Sequence, residues 1–399
     1  MSSKKNDQIL STLKWSITNN PTLRAKQDNC LERTNWTYIC EVASRANGGQ
    51  PCKALPKYTS GGTSLARLLE FQDGTYWVAR VQLLEPTPET SRKLQNEVDT
   101  ITLLKTRTHT PVPRIFAFNL SDIQIAASAF VLLELLPGNS AMDEAHGHHI
   151  TDWGLIPRQY RQMFYNSVAA AHVQIASARL PLIGTVSRDT DGNFTVGPIP
   201  GIGGPFDTAA SFIRAWAANI KYPLSEAYLR KHISSPLIDE IIKGTYELPS
   251  RLANLATSGK CFTRAGPFPI RHPDLFHHNV VVTESFNVLG VIDWEGAYTV
   301  PWELIDFPCF LSTVPRLLNP PDQYNEAGQS LDPDDIGRWA DEKLYVEMVQ
   351  EAEQKAQMDC MLSQTLGDRD TQDLAGIVHL FALGKMGLYG RALDYFENI

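Results

Sequence analysis

Asp274, Asn279 and Asp293 are the side chains whose types and spacing say most about chemistry. They sit in the stretch Ile270-Arg-His272-Pro-Asp274-Leu-Phe-His-His-Asn279, followed by three valines and then Val288-Leu-Gly-Val-Ile292-Asp293-Trp-Glu295. Residues 280–283 and 288–292 are short apolar runs around a polar turn at 284–287, a pattern that reads as an antiparallel hairpin. Asn279 enters the first strand and Asp293 leaves the second, so pairing brings both to the same open end. Asp274 lies five residues before Asn279, on the loop leading in. One amide oxygen and one carboxylate, with a second carboxylate nearby, form a hard-oxygen site suited to Mg²⁺. Such an ion keeps waters and shares phosphate oxygens with a substrate, so two protein ligands suffice.

A second candidate is Ser60-Gly61-Gly62-Thr63-Ser64. Two glycines allow close backbone approach, and Thr63 and Ser64 offer hydroxyls and amides to phosphate oxygens, although the run is not G-x-G-x-x-G.

The elements that must position these residues follow from periodicity. Residues 65–71 and 76–81 read as strands joined through Asp73-Gly74, a hairpin signal because glycine supplies the positive φ of the turn. Leu94, Val98, Ile101 and Leu104 recur at helical spacing over residues 89–106, and Pro111 and Pro113 end that helix. Strands at 115–118 and 130–136 follow, the latter stopped by Pro137-Gly138. From about residue 150 the chain reads as mostly helical, with helices at 158–178, 208–220 and 237–256. Pro249 is expected to end or kink the last of these, and polar helices run from about 334 onward. The first 50 or so residues read as a helical lead-in without evident chemistry.

Composition narrows the class. Among 399 residues, 36 Lys and Arg face 44 Asp and Glu, a net charge of −8 that gives no reason to expect nucleic acid as a partner. No apolar run approaches the ~20 residues that span a bilayer. The six cysteines have no zinc-type or disulfide-framework spacing, and residues 1–7 lack the apolar core of a signal peptide. The N-x-[ST] triplets at Asn35, Asn119 and Asn193 then read as chance, and a reducing, cytoplasmic location is expected.

The pattern His272-x-Asp274-Leu-x-x-x-Asn279, followed by Ile292-Asp293-Trp294-Glu295, resembles the catalytic and metal motifs of aminoglycoside phosphotransferase-like enzymes. The Asp-Gly hairpin, the helix with Glu97 and the strand running into Pro-Gly138 are similar in order, so the resemblance spans about residues 55–310. It is strongest to the branch found in filamentous fungi. It implies an α+β, bilobal protein-kinase-like fold: a lead-in at 1–54, a small β-rich nucleotide-binding lobe at 55–136, and a larger, mainly helical lobe at 137–399. The implied activity is transfer of phosphate from ATP or GTP, with Mg²⁺, to a hydroxyl of a small molecule such as a secondary metabolite. Asp274 would take or orient the acceptor proton, and Asn279 and Asp293 would hold the metal.

The same resemblance assigns the remaining residues. Gly61, Gly62, Thr63 and Ser64 would form the nucleotide loop. Arg80 stands where the family usually has the phosphate-contacting Lys, with Glu97 as its partner. Backbone groups of Glu134, Leu135 and Leu136 would meet the base. His272 and Asp306 would be structural, and His278 and Glu295 would line the acceptor pocket. Two other readings stay open: a pseudokinase or regulatory nucleotide-binding protein, suggested by Arg80, and a kinase fold repurposed for a non-phosphorylating biosynthetic step.

Overall fold

The computed structural model describes residues 10–15, 18–120, 126–145 and 156–399; the segment 1–7 discussed above lies outside them. The chain is mixed α and β, strand-rich toward the N-terminus and helix-rich toward the C-terminus. It divides into two compact units, residues 1–167 with 277–296, and residues 168–276 with 297–399.

In the first unit, strands β1 (Cys52–Ser60), β2 (Ser64–Phe71), β3 (Tyr76–Gln82), β4 (Ile115–Asn119) and β5 (Phe130–Glu134) form an antiparallel sheet in the order β1-β2-β3-β5-β4. The β2–β3 hairpin pairs Ser64 with Gln82 through Glu70 with Tyr76, and its turn places Gly74 at φ +82°. Alternation along β3 buries Trp77, Ala79 and Val81 and leaves Arg80 on the other face. The lead-in contributes helices α1 (Pro21–Arg33) and α2 (Trp36–Ala46). Their Cys30, Ile39 and Ala43 enter the core formed by Leu65, Leu69, Phe71, Trp77 and Val81. Helix α3 (Pro88–Arg107) starts on a Thr87–Thr90 capping box and buries Leu94, Glu97, Val98, Ile101 and Leu104.

Strand β1 is not evident from the sequence. That strand carries Pro56 at the sheet edge, where a missing N–H costs no ladder bond, and its register shifts between Ala54 and Tyr58 around the proline.

A three-stranded sheet completes this unit. It joins β6 (Asn139–Ser140) to a hairpin whose strands are β11 (Val280–Val282) and β12 (Val288–Val291), in the order β12-β11-β6. Gly138 is where β6 meets β11 most tightly, since a Cβ there would lie 2.2 Å from the Val282 carbonyl oxygen. Helix α4 (Ala141–Glu144) follows β6.

The second unit is mainly helical, as expected, and also carries a small sheet. Strands β7 (Arg179–Leu180), β8 (Thr185–Arg188), β9 (Phe194–Gly197), β10 (Phe268–Arg271) and β13 (Tyr298–Thr299) form a second sheet, ordered β7-β10-β13-β8-β9. These strands are two to four residues long, too short for an alternation signal. The helices are α5 (Arg158–Ser177, shared across the border at 167), α6 (Ala209–Asn219), α7 (Glu226–His232), α8 (Ile238–Thr257), α9 (Pro333–Ala356), α10 (Met361–Gly367), α11 (Arg369–Ala382) and α12 (Tyr389–Asn398). Helix α8 runs through Pro249 instead of stopping there. Its buried face of Ile242, Leu248, Leu252 and Leu255 offsets the single lost backbone bond. The helices after 333 are likewise core-forming, burying Tyr345, Val349, Phe381, Leu393 and Phe396. No helix among the described residues is long and apolar enough to cross a membrane.

Candidate active site

A cavity of about 520 Å³ opens within the first unit. Gly61, Gly62, Thr63, Ser64, Arg80, Glu97, Glu134, Leu135, Leu136, His278, Asn279 and Asp293 all line it, so most of the candidate residues converge on one space. Residues 61–63 form the exposed turn between β1 and β2, with the Gly61 N–H donating to the Ser64 carbonyl at 3.0 Å. Neither glycine has a left-handed φ, and a Cβ on either would meet nothing within 4 Å. Fold geometry therefore does not require glycine at these positions.

Arg80 is the electrostatic centre. Its guanidinium pairs with Glu97 of α3 and, at 3.3 Å, with Asp293. Burial opposes its charge, but Glu97, Asp293 and Glu295 outweigh that and raise its pKa. Burial pushes the Glu97 carboxyl up while Arg80 pulls it back. Glu97 also accepts from the Trp294 N–H at 3.3 Å, tying α3 to the end of the β11–β12 hairpin.

The hairpin delivers Asn279 and Asp293 together. Val280 pairs with Val291, and the ladder is carried one step further by the Ile292 N–H donating to the Asn279 carbonyl at 2.9 Å. Asp293 then turns left-handed at φ +65°, a conformation that aspartate tolerates better than most residues and that ends the strand. Among the described residues no cluster of three or more His, Cys, Asp or Glu could hold a metal. The amide oxygen of Asn279 and the half-exposed carboxylate of Asp293 are the hard-oxygen set that the cavity wall supplies, and that chemistry fits magnesium.

At the end of β5 the structure modifies one expectation. The Glu134 N–H already donates to the Arg114 carbonyl at 2.8 Å, and the Glu134 carboxylate accepts from the Arg114 N–H at 3.0 Å. The Leu136 carbonyl accepts from the Gly138 N–H at 2.8 Å. Of the backbone groups expected to meet a base, the Glu134 N–H and the Leu136 carbonyl are thus already engaged within the chain.

Asp274 belongs to the second unit. Its N–H donates to Nδ1 of buried His272 at 3.1 Å, which fixes the proton of that imidazole on Nε2. Arg271, just before, forms a two-point pair with Asp306 at 2.9 and 2.7 Å and contacts Nδ1 of His379 at 2.8 Å. Arg271 outweighs burial and holds the Asp306 carboxyl below its usual range. Cys309 donates its N–H to the Leu275 carbonyl at 3.0 Å, and burial together with Asp306 and Asp274 pushes its thiol up to about 12. The Asp274 loop is thus braced from both sides.

Two acceptor-pocket candidates part company. His278 is exposed on the cavity wall, whereas Glu295 lies outside the lining. Leu13, Lys14 and Trp15, together with Asn139, Ser140, Met142 and Asp143, also line the cavity and escaped the sequence reading. No local pattern marks them; only the tertiary fold brings residue 14 to residue 139.

The sequence model of the family described as Phosphotransferase enzyme family matches residues 59–313. No curated protein matches the chain significantly. Similar solved structures include a macrolide 2′-phosphotransferase type I, 16% identical, covering 90% of this chain and 96% of its own, with a TM-score of 0.42. The macrolide 2′-phosphotransferase MphH from Brachybacterium faecium is 13% identical, covering 90% of this chain and 98% of its own, with a TM-score of 0.40. The amicoumacin kinase hAmiN, solved with AMP-PNP, Ca²⁺ and Ami, is 13% identical, covering 93% and 96%, with a TM-score of 0.40.

Proposed function

Since the chain belongs to the phosphotransferase enzyme family, we propose that it transfers the terminal phosphoryl group of ATP or GTP to a hydroxyl of a small molecule. The observation that carries this reading is the meeting of Arg80, Glu97, Asn279 and Asp293 on one cavity wall, with the Gly61–Gly62 turn at the same space. In phosphoryl transfer the protein mainly positions groups and neutralises charge.

Arg80 binds the α- and β-phosphate oxygens, its forked donors suiting that geometry as well as the usual lysine does. Glu97 fixes its direction. The 61–64 turn offers backbone amides and the Thr63 and Ser64 hydroxyls to the phosphates, and backbone groups of Leu135 and Leu136 meet the base. Asn279 and Asp293 would hold a magnesium ion, which would supply positive charge to offset that of the phosphate oxygens. Asp274 orients the acceptor hydroxyl and takes its proton as that oxygen bonds to the γ-phosphorus and the β–γ bridging bond breaks. The His272 and Arg271–Asp306 contacts keep Asp274 in place. Six free thiols suit the reducing cytoplasm.

The test is nucleotide binding and product formation in wild type and Asp293→Ala. Mass spectrometry of a hydroxyl-metabolite library with MgATP or MgGTP is expected to reveal a phosphorylated product with wild type. Asp293→Ala is expected to lose the magnesium-dependent part of nucleotide affinity. Unchanged magnesium dependence in that variant contradicts the assignment. Nucleotide binding without any product across the library favours the regulatory reading instead.

A further inference from the structure

The segment ahead of α1 supplies a part of the cavity that the roles above leave unused. Leu13, Lys14 and Trp15 line the same space as Arg80 and Leu135–Leu136. Asn139 holds them there. Its side-chain oxygen accepts from the Lys14 backbone N–H at 2.7 Å, and its amide donates to the Thr12 carbonyl at 3.0 Å. A carbonyl and the N–H two residues on are what a neighbouring strand residue would pair with, so the Asn139 side chain stands in for a peptide group. The same amide donates to Glu144 at 3.1 Å, and Glu144 with the Asp143 carbonyl takes the Lys14 ammonium at 3.2 and 3.0 Å. Asn139 is itself buried, so the segment's backbone is built into the wall.

Trp15 adds an independent sign. Its indole nitrogen is buried and has no acceptor among the described residues. Enclosed by protein, that nitrogen is out of a ligand's reach, so what Trp15 offers the cavity is apolar ring surface on which a base can stack. Its neighbours say which part of the ligand lies there. Arg80, Asn279 and Asp293 mark the phosphate end, whereas residues 12–14 are anchored on Asn139–Glu144, just past Leu135–Leu136.

We propose that residues 13–15 form a wall of the nucleoside subsite and that the Trp15 ring packs against the base or ribose. The inference rests on the phosphotransferase reading of this cavity. The test is calorimetric titration of the full chain with MgATP, MgGTP, adenosine, guanosine and tripolyphosphate. Wild type, Trp15→Ala, Trp15→Phe and Asn139→Asp are compared. Trp15→Ala is expected to weaken nucleosides and nucleoside triphosphates by about tenfold, the scale of one lost base–aromatic contact, and to leave tripolyphosphate unchanged. Trp15→Phe recovers part of the loss by restoring a smaller ring. Asn139→Asp keeps the size but removes the donor to Thr12, and it weakens nucleosides several-fold without touching the phosphate end. Equal nucleoside affinity in Trp15→Ala and wild type overturns the inference, as does an equal loss toward tripolyphosphate. A wild type that binds no nucleotide overturns the phosphotransferase reading and this inference with it, so the two failures are told apart.

Discussion

Arg80 shows what single residues disclose and what they withhold. Its place on a strand and the helical phase of Glu97 are both readable from periodicity, and the two side chains do pair. Its second contact, to Asp293, spans 213 positions of sequence and depends on tertiary packing. Glu97 is 3% exposed, so Arg80→Ala strands a buried carboxylate. That change is expected to cost about 3–5 kcal/mol of stability and most of the nucleotide affinity, measured by denaturant unfolding and titration. Arg80→Lys keeps the charge and one contact, so partial affinity remains. An Arg80→Ala protein with wild-type stability and affinity would reduce the residue to a surface charge.

Elements were legible in proportion to the length of their pattern. The β2–β3 hairpin, α3 and the β11–β12 hairpin carry strong alternation, helical spacing or turn chemistry, and they carry or flank Ser64, Arg80, Glu97, Asn279 and Asp293. Edge strand β1 was hidden by Pro56, and the two-residue strands of the second sheet carry no period at all. The contribution of residues 13–15 was hidden for another reason, since a side-chain amide performs the strand pairing there. Gly138 tests how closely β6 must approach the hairpin. A methyl group there would overlap the Val282 carbonyl oxygen at 2.2 Å, backbone that cannot rotate away. Gly138→Ala is therefore expected to lower stability by about 1–3 kcal/mol, read from the midpoint of urea unfolding. An unchanged midpoint would contradict so close an approach.

At the scale of the whole molecule, each unit has its own core, and the second carries buried ionisable groups around the Asp274 loop. His172 sits among them with Nδ1 3.2 Å from the Tyr345 hydroxyl, and burial lowers its pKa from 6.5 to about 4. Between those values the unfolded chain binds the proton and the folded one does not. The His172 contribution is therefore present above pH ~6.5 and lost as pH falls through about 4, roughly 3 kcal/mol in all. His172→Gln is expected to flatten the pH dependence of unfolding in that window, and an identical slope in the variant would contradict a buried neutral imidazole. The central claim is phosphoryl transfer with Asp274 at the acceptor hydroxyl. It is tested most directly by the rate of product formation in wild type and Asp274→Asn, with and without MgATP or MgGTP. The account predicts a nucleotide-dependent rate that falls by about 10²-fold or more in Asp274→Asn while nucleotide affinity holds. Full activity in Asp274→Asn, or a wild-type reaction that proceeds without nucleotide, would contradict it.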